Sequence, residues 1–126
     1  MLRNDRFSAG EVFIPRGRPL PEFNGTGVKV WDHFVGKGYA KTFHMPAGTS
    51  IGQHTHKIGH HATLMVGRVV LDSGGSFKTL VAPATVWIPA GEAHVIVAAE
   101  DSLWACLWDN PQRLLDAESF EKTVIA

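Results

Sequence analysis

The residues in this chain best suited to chemistry are histidines. Gly48 is followed after five residues by His54-Thr55-His56, after three more by His60, and after six more by Gly67. Pro89-Ala90-Gly91-Glu92-Ala93-His94 comes later. Four of the seven histidines fall between positions 54 and 61. Imidazole is the commonest protein ligand for a transition metal, and it suits zinc, copper, iron and nickel. On a strand, residues i and i+2 point the same way, so His54 and His56 can reach one metal from one face. Lys57-Ile58-Gly59 lets the chain bend, and His60 then opens the next strand with Ala62, Leu64 and Val66 on its own side. His94, behind a proline-glycine turn, can bring the start of a neighbouring strand across the same interior. The four together make an N4 set. Zinc takes four ligands at about 2.0–2.1 Å, whereas an octahedral metal keeps two positions open for water, dioxygen or a bidentate substrate. The plain alternative is a histidine cluster in a solvent-exposed loop with no ligand role.

These side chains need β elements to position them, and the chain supplies them. Val28-Lys29-Val30-Trp31 alternates, and Tyr39 to His44 alternates loosely before the turn Pro46-Ala47-Gly48. His61 to Leu71 is rich in β-branched and apolar residues. Asp72-Ser73-Gly74-Gly75-Ser76 marks a hairpin. Phe77 to Val81, Thr85 to Ile88, Val95 to Ala99 and Leu103 to Trp108 are four further short strands. The spacing, about 8–12 residues with turn chemistry between, predicts a sandwich or barrel. Asn110-Pro111 resembles a helix N-cap with proline at the first helical position. Leu114, Ala117, Phe120 and Val124 then recur at helical spacing. One domain over 1–126 is expected, with an N-terminal arm over 1–27, a barrel over 28–109 and a C-terminal helix over 110–126.

Composition narrows the partners. Lysine plus arginine equals aspartate plus glutamate at 12 each, which gives no electrostatic reason to expect nucleic acid or an acidic membrane. No apolar run approaches the roughly 20 residues that span a bilayer. The charged N-terminus lacks the apolar stretch of a signal peptide. A cytoplasmic protein is expected. Cys106 is the only cysteine, in an apolar string that reads as buried core rather than a reactive thiol.

The histidine and glycine spacing resembles the two cupin motifs. Gly48, His54, His56 and Gly67 match the first, with His60 in the place of its usual glutamate. Pro89, Gly91 and His94 match the second, but Pro83 and Ala98 stand where glycine and asparagine would be. The matched region, 48–98, is about 40% of the chain. The resemblance implies an all-β cupin (jelly-roll) barrel with a short C-terminal helix, holding one divalent transition metal (iron, manganese, nickel, copper or zinc). By resemblance His54, His56 and His94 are ligands. Loss of the glutamate removes a negative charge and makes the site more electrophilic. The fourth ligand is His60 or His61; the gap to Gly67 and the parity with His54 and His56 favour His60. His61 then points outward or sits near a partner chain. His44 is either solvated near its turn or close to the barrel mouth, and His33 is structural or exposed. Trp31, Trp87, Trp104 and Trp108 line a cavity or pack in the core and interface.

The leading functional expectation is a metalloenzyme acting on a small chelating molecule. Dioxygenase-type chemistry comes first, isomerase or lyase chemistry next. The second is a non-catalytic binding or sensing cupin in which the metal is structural. By resemblance the chain forms a homodimer, with the N-terminal arm of residues 1–35 as the pairing element.

Overall fold

The structure, a computed structural model, describes residues 27–53, 55–73 and 75–124. The segment 1–26, which covers nearly all of the arm expected above, lies outside the described residues, and so does His54.

Nine strands and one helix follow in order: β1 (Lys29–Val35), β2 (Gly38–Met45), β3 (Ser50–Gln53), β4 (His60–Val66), β5 (Arg68–Ser73), β6 (Ser76–Val81), β7 (Ala84–Ile88), β8 (His94–Ala98), β9 (Ser102–Asp109) and α1 (Ala117–Val124). They form two antiparallel sheets, one ordered β1-β2-β9-β4-β7 and the other β3-β8-β5-β6. Alternate residues of each sheet meet in one apolar core. Val30, Phe43, Leu64, Ile88 and Trp104 come from the first sheet, and Ile51, Val69, Leu71 and Ile96 from the second. Each such side chain, taken fully out of water, contributes roughly 1.5–3 kcal/mol. Cys106, the only cysteine of the chain, belongs to this core and is buried.

Three sequence expectations need correction. The apolar run from 61 to 71 is not one strand: Gly67 splits it, at φ +95. A Cβ at Gly67 would lie 2.4 Å from both the Asp101 carbonyl oxygen and Ser102 Oγ. Only glycine takes that backbone with that neighbour. The bend sends β4 into one sheet and β5 into the other. Among the described residues the edge strands β1 and β7 of the first sheet pair with neither β3 nor β6, so the expected closed barrel is an open two-sheet sandwich. The helix begins at Ala117, not at 110. Its cap is Asp116, whose Oδ2 accepts from Ser119 N at 2.9 Å and from Ser119 Oγ at 2.8 Å. Those bonds hold the exposed Asp116 carboxyl below its usual pKa. Asn110 instead makes a buried turn: its Nδ2 donates to the Leu114 carbonyl (2.8 Å) and its Oδ1 accepts from Leu114 N (3.1 Å).

Ser102, 1% exposed, ties the sheets together. Its hydroxyl donates to the Glu100 carbonyl at 2.7 Å and accepts from Arg68 N at 3.2 Å. Asp101 Oδ1 accepts from Ala47 N at 2.8 Å, pinning the turn after β2.

Candidate metal centre

His60 is the first residue of β4, with its Cα opposite Ile88 of β7. The chain enters this position through Gly59. A Cβ there would sit 2.3 Å from the Trp87 ring and 3.0 Å from the Ile88 carbonyl. His60 is 2% exposed, and among the described residues neither its Nδ1 nor its Nε2 has a hydrogen-bond partner. A buried polar atom left unpaired costs about 1–3 kcal/mol. Burial drives the His60 pKa down to about 3, and the neighbouring charges of His56, His94 and His61 push the same way. The ring is therefore neutral at pH 7, with a lone pair available.

His94 opens β8, opposite Gln53 of β3 and Ser73 of β5. It is also 2% exposed. Burial lowers its pKa, while the Glu92 carbonyl and carboxylate act in the opposite sense. Its Nδ1 donates to the Glu92 carbonyl at 3.4 Å in the tautomer that leaves Nε2 as acceptor. The Pro89-Ala90-Gly91 turn that precedes it bonds across the site, with Gly91 N donating to the His56 carbonyl at 2.9 Å.

His56 lies beyond β3, which ends at Gln53. It sits in the connection to β4, half-buried. Two backbone bonds fix it: the one from Gly91, and one from Lys57 N to the Val124 carbonyl at the end of α1, 2.6 Å. The C-terminal helix thus holds the histidine loop. Sequence reasoning missed this role.

The three described rings surround a common centre. Their centroids are 5.1 Å (His56–His60), 6.2 Å (His60–His94) and 6.3 Å (His56–His94) apart. The point equidistant from all three lies about 3.4 Å from each centroid. A metal–nitrogen bond of about 2.0–2.1 Å plus the radius of an imidazole ring gives roughly 3.2 Å. The spacing and the donor chemistry therefore fit one ion. Among the described residues the ring nitrogens do not themselves converge on that point.

Trp108 forms the floor: its indole stacks on His60 with centroids 3.9 Å apart and meets His56 at 4.7 Å. Phe120 of α1 backs it at 6.2 Å. His61 lies on the opposite face of the sheet, exposed, with its ring edge-on to Trp87 at 4.9 Å. His44 and His33 lie on that outer face too, at register positions beside Leu103 and Ala40. A cavity of about 220 Å³ opens between the β5–β6 hairpin and β7, lined by no described histidine but by Ile88 and Ser73, whose register partners include His60 and His94. Leu71, Ser73, Ser76, Lys78, Val86 and Ile88 line it, and Glu92 stands at its rim.

The two-sheet fold with histidines at one end is the cupin fold. An RmlC-like cupin from Shewanella frigidimarina superimposes with a TM-score of 0.62 at 19% identity, over 77% of this chain and 84% of that one. An acetylacetone dioxygenase from Acinetobacter johnsonii gives 0.63 at 20% identity, over 78% and 72%. A salicylate 1,2-dioxygenase from Pseudaminobacter salicylatoxidans gives 0.65 at 10% identity, over 80% of this chain but 30% of that larger one. No family model and no curated protein sequence matches the chain. Among the described residues no helix is long and apolar enough to cross a membrane.

Proposed function

We propose that this chain is a metalloprotein in which His54, His56, His60 and His94 hold one divalent transition metal, and that it acts as an enzyme on a small chelating molecule. The observation that carries the reading is His60. Among the described residues both of its ring nitrogens are buried without a hydrogen-bond partner, and two further imidazoles sit around the same centre. A bound ion would satisfy one of those nitrogens and supply Lewis acidity or dioxygen chemistry.

The protein's part is positioning. The Glu92 carbonyl holds the Nδ1 proton of His94 and leaves Nε2 to bind. Trp108 keeps water from the back of His60. Leu71, Val86 and Ile88 offer an apolar wall to the body of a substrate, and Ser73, Ser76 and Lys78 offer it hydrogen bonds. A dioxygenase-type reaction is favoured, since two structural relatives carry that activity in their names; isomerase or lyase chemistry comes next. The near-complete burial of His60 and His94 favours one competing reading, a metal held for binding or sensing without turnover.

Elemental analysis of the purified protein and of the His56→Ala, His60→Ala and His94→Ala variants tests the metal site. About one ion per chain is expected, lost in the variants; stoichiometric metal in His56→Ala or His94→Ala overturns the assignment. Dioxygen consumption with small β-diketones and catechols separates turnover from binding.

A further inference from the structure

Among the described residues that line the cavity between the β5–β6 hairpin and β7, Lys78 is the one cation. The register explains how a lysine comes to stand there. On β6 it shares a face with Leu80, 8% exposed, and its Cα partner on β5 is Leu71, 6% exposed. Phe77, on the opposite face of the strand, is 75% exposed. Side chains alternate between the faces of a strand, so Lys78 belongs to the face that carries the core. The rows on that face change character along the strands. Ala98, Val69 and Leu80 make a wholly apolar row. The next runs Ile96, Leu71, Lys78, and the row at the histidine end runs His94, Ser73, Ser76.

An inward-facing charge on an edge strand has a plain use, since it discourages a further strand from pairing there, and β6 is an edge of its sheet. That use does not account for the surroundings. Two serines share the cavity with the lysine, and Leu71, Val86 and Ile88 wall it. Among the described residues no ion pair includes Lys78. Glu92, the one acid of the lining, belongs to the metal end, where its carbonyl accepts from Nδ1 of His94. An unpaired ammonium with hydroxyl donors beside it and an apolar wall behind is a receptor for an anion. Lys78 stands two strands and two residues from His94. Their Cα positions are thus roughly 12 Å apart, a span that a lysine, an imidazole and a ligand a few bonds long can bridge.

We propose that Lys78 sets the specificity of this site, and that the small chelating molecule it takes is a carboxylate. The chelating head lies at the histidines and a short apolar body lies against Leu71, Val86 and Ile88. The carboxylate sits on the Lys78 ammonium, with the Ser76 hydroxyl donating to it. This assignment rests on the metal reading given above. It also agrees with the charge of that centre: four neutral imidazoles leave the charge of a divalent ion uncompensated, so an anionic molecule is favoured over a neutral one.

Calorimetric titration of the zinc-loaded full chain with two probes tests this. The probes are 4,6-dioxoheptanoate and heptane-2,4-dione, which share a β-diketone head and differ only in a terminal carboxylate or methyl group. Zinc supports binding without oxidation, so affinity is read apart from turnover. The wild-type chain should bind the acid about tenfold more tightly than the dione. Lys78→Met should bring that ratio close to one with the dione affinity unchanged, and Lys78→Arg should preserve it. Lys29→Met, at an exposed lysine on β1, should leave it unmoved. Equal affinities in the wild type overturn the assignment while the metal reading stands. So does a ratio that survives Lys78→Met, and if that variant also self-associates the lysine only guards the edge of the sheet. A chain that takes up no zinc by elemental analysis overturns the metal reading and this assignment together.

Discussion

His60 lies on the indole of Trp108, with ring centroids 3.9 Å apart and planes 22° from parallel. The contact fixes the plane of a histidine whose ring nitrogens are both buried and, among the described residues, without a hydrogen-bond partner. Replacing Trp108 by Leu removes that support and leaves space beneath the ring. The expected result is a destabilisation of about 2–4 kcal/mol and a metal affinity lower by about tenfold or more, the usual effect of removing a group that orients a ligand. Denaturant unfolding and a cobalt or zinc titration of the same variant check both.

The metal-free protein should lose stability in acid. His60 has a folded-state pKa of about 3, against 6.5 for the ordinary side chain, and burial moves His94 the same way. Between those pH values the unfolded chain binds protons that the folded chain refuses. Stability is thus fully present above about pH 6.5 and falls as pH drops towards 3, by at most about 1.4 kcal/mol per pH unit for His60. Urea midpoints from pH 7.5 to 4 measure the slope, and His60→Gln should flatten it. A saturating divalent metal should raise the midpoint at neutral pH, because only the folded chain presents the assembled site.

Asn110→Ala should cost about 2 kcal/mol or more. The asparagine is 1% exposed and its amide answers both the N–H and the carbonyl of Leu114. Truncation leaves two backbone groups unpaired in a buried turn. Thermal unfolding of Asn110→Ala beside an exposed control such as Gln112→Ala measures the difference.

Trp104→Phe should be nearly neutral despite full burial. Among the described residues the indole Nε1 is buried without a hydrogen-bond partner, so the lost ring volume is offset by removal of an unsatisfied donor. A stability within about 1 kcal/mol of wild type is expected, against about 3–5 kcal/mol lost in Trp104→Ala.

Capping should be felt at the histidine loop. Asp116→Ala removes the bonds that start α1, and α1 ends in the Val124 carbonyl that holds Lys57. Amide hydrogen exchange should quicken at residues 55–59 while β9 is unaffected. Equal protection in the two proteins would show that the helix holds the loop without help from its cap.

Much of this architecture was written in local signals. Alternation marked the first two strands, apolar and β-branched runs between turns marked five further regions, and His60 and His94 open strands where the turns before them implied. What escaped notice depends on contacts between distant residues. β3 is four residues long with a glycine in it, too short to carry a pattern. The break at Gly67 is dictated by Ser102 and Asp101, which lie over thirty positions away. Asn110 looked like a cap because the sequence could not reveal that its amide is buried against Leu114. Trp108 was one of four tryptophans of equal standing until the fold put it beneath the imidazoles.

Gly67 has a reach beyond its own turn. It is the point where the chain leaves the sheet carrying His60 for the sheet carrying His94, seven residues after the one and directly before the strand that pairs with the other. The gap between the two imidazoles is therefore a property of the path of the main chain, set by a bend that no ligand touches. Evolution or an engineer could retune this centre by remote adjustment of that bend, leaving every candidate donor in place.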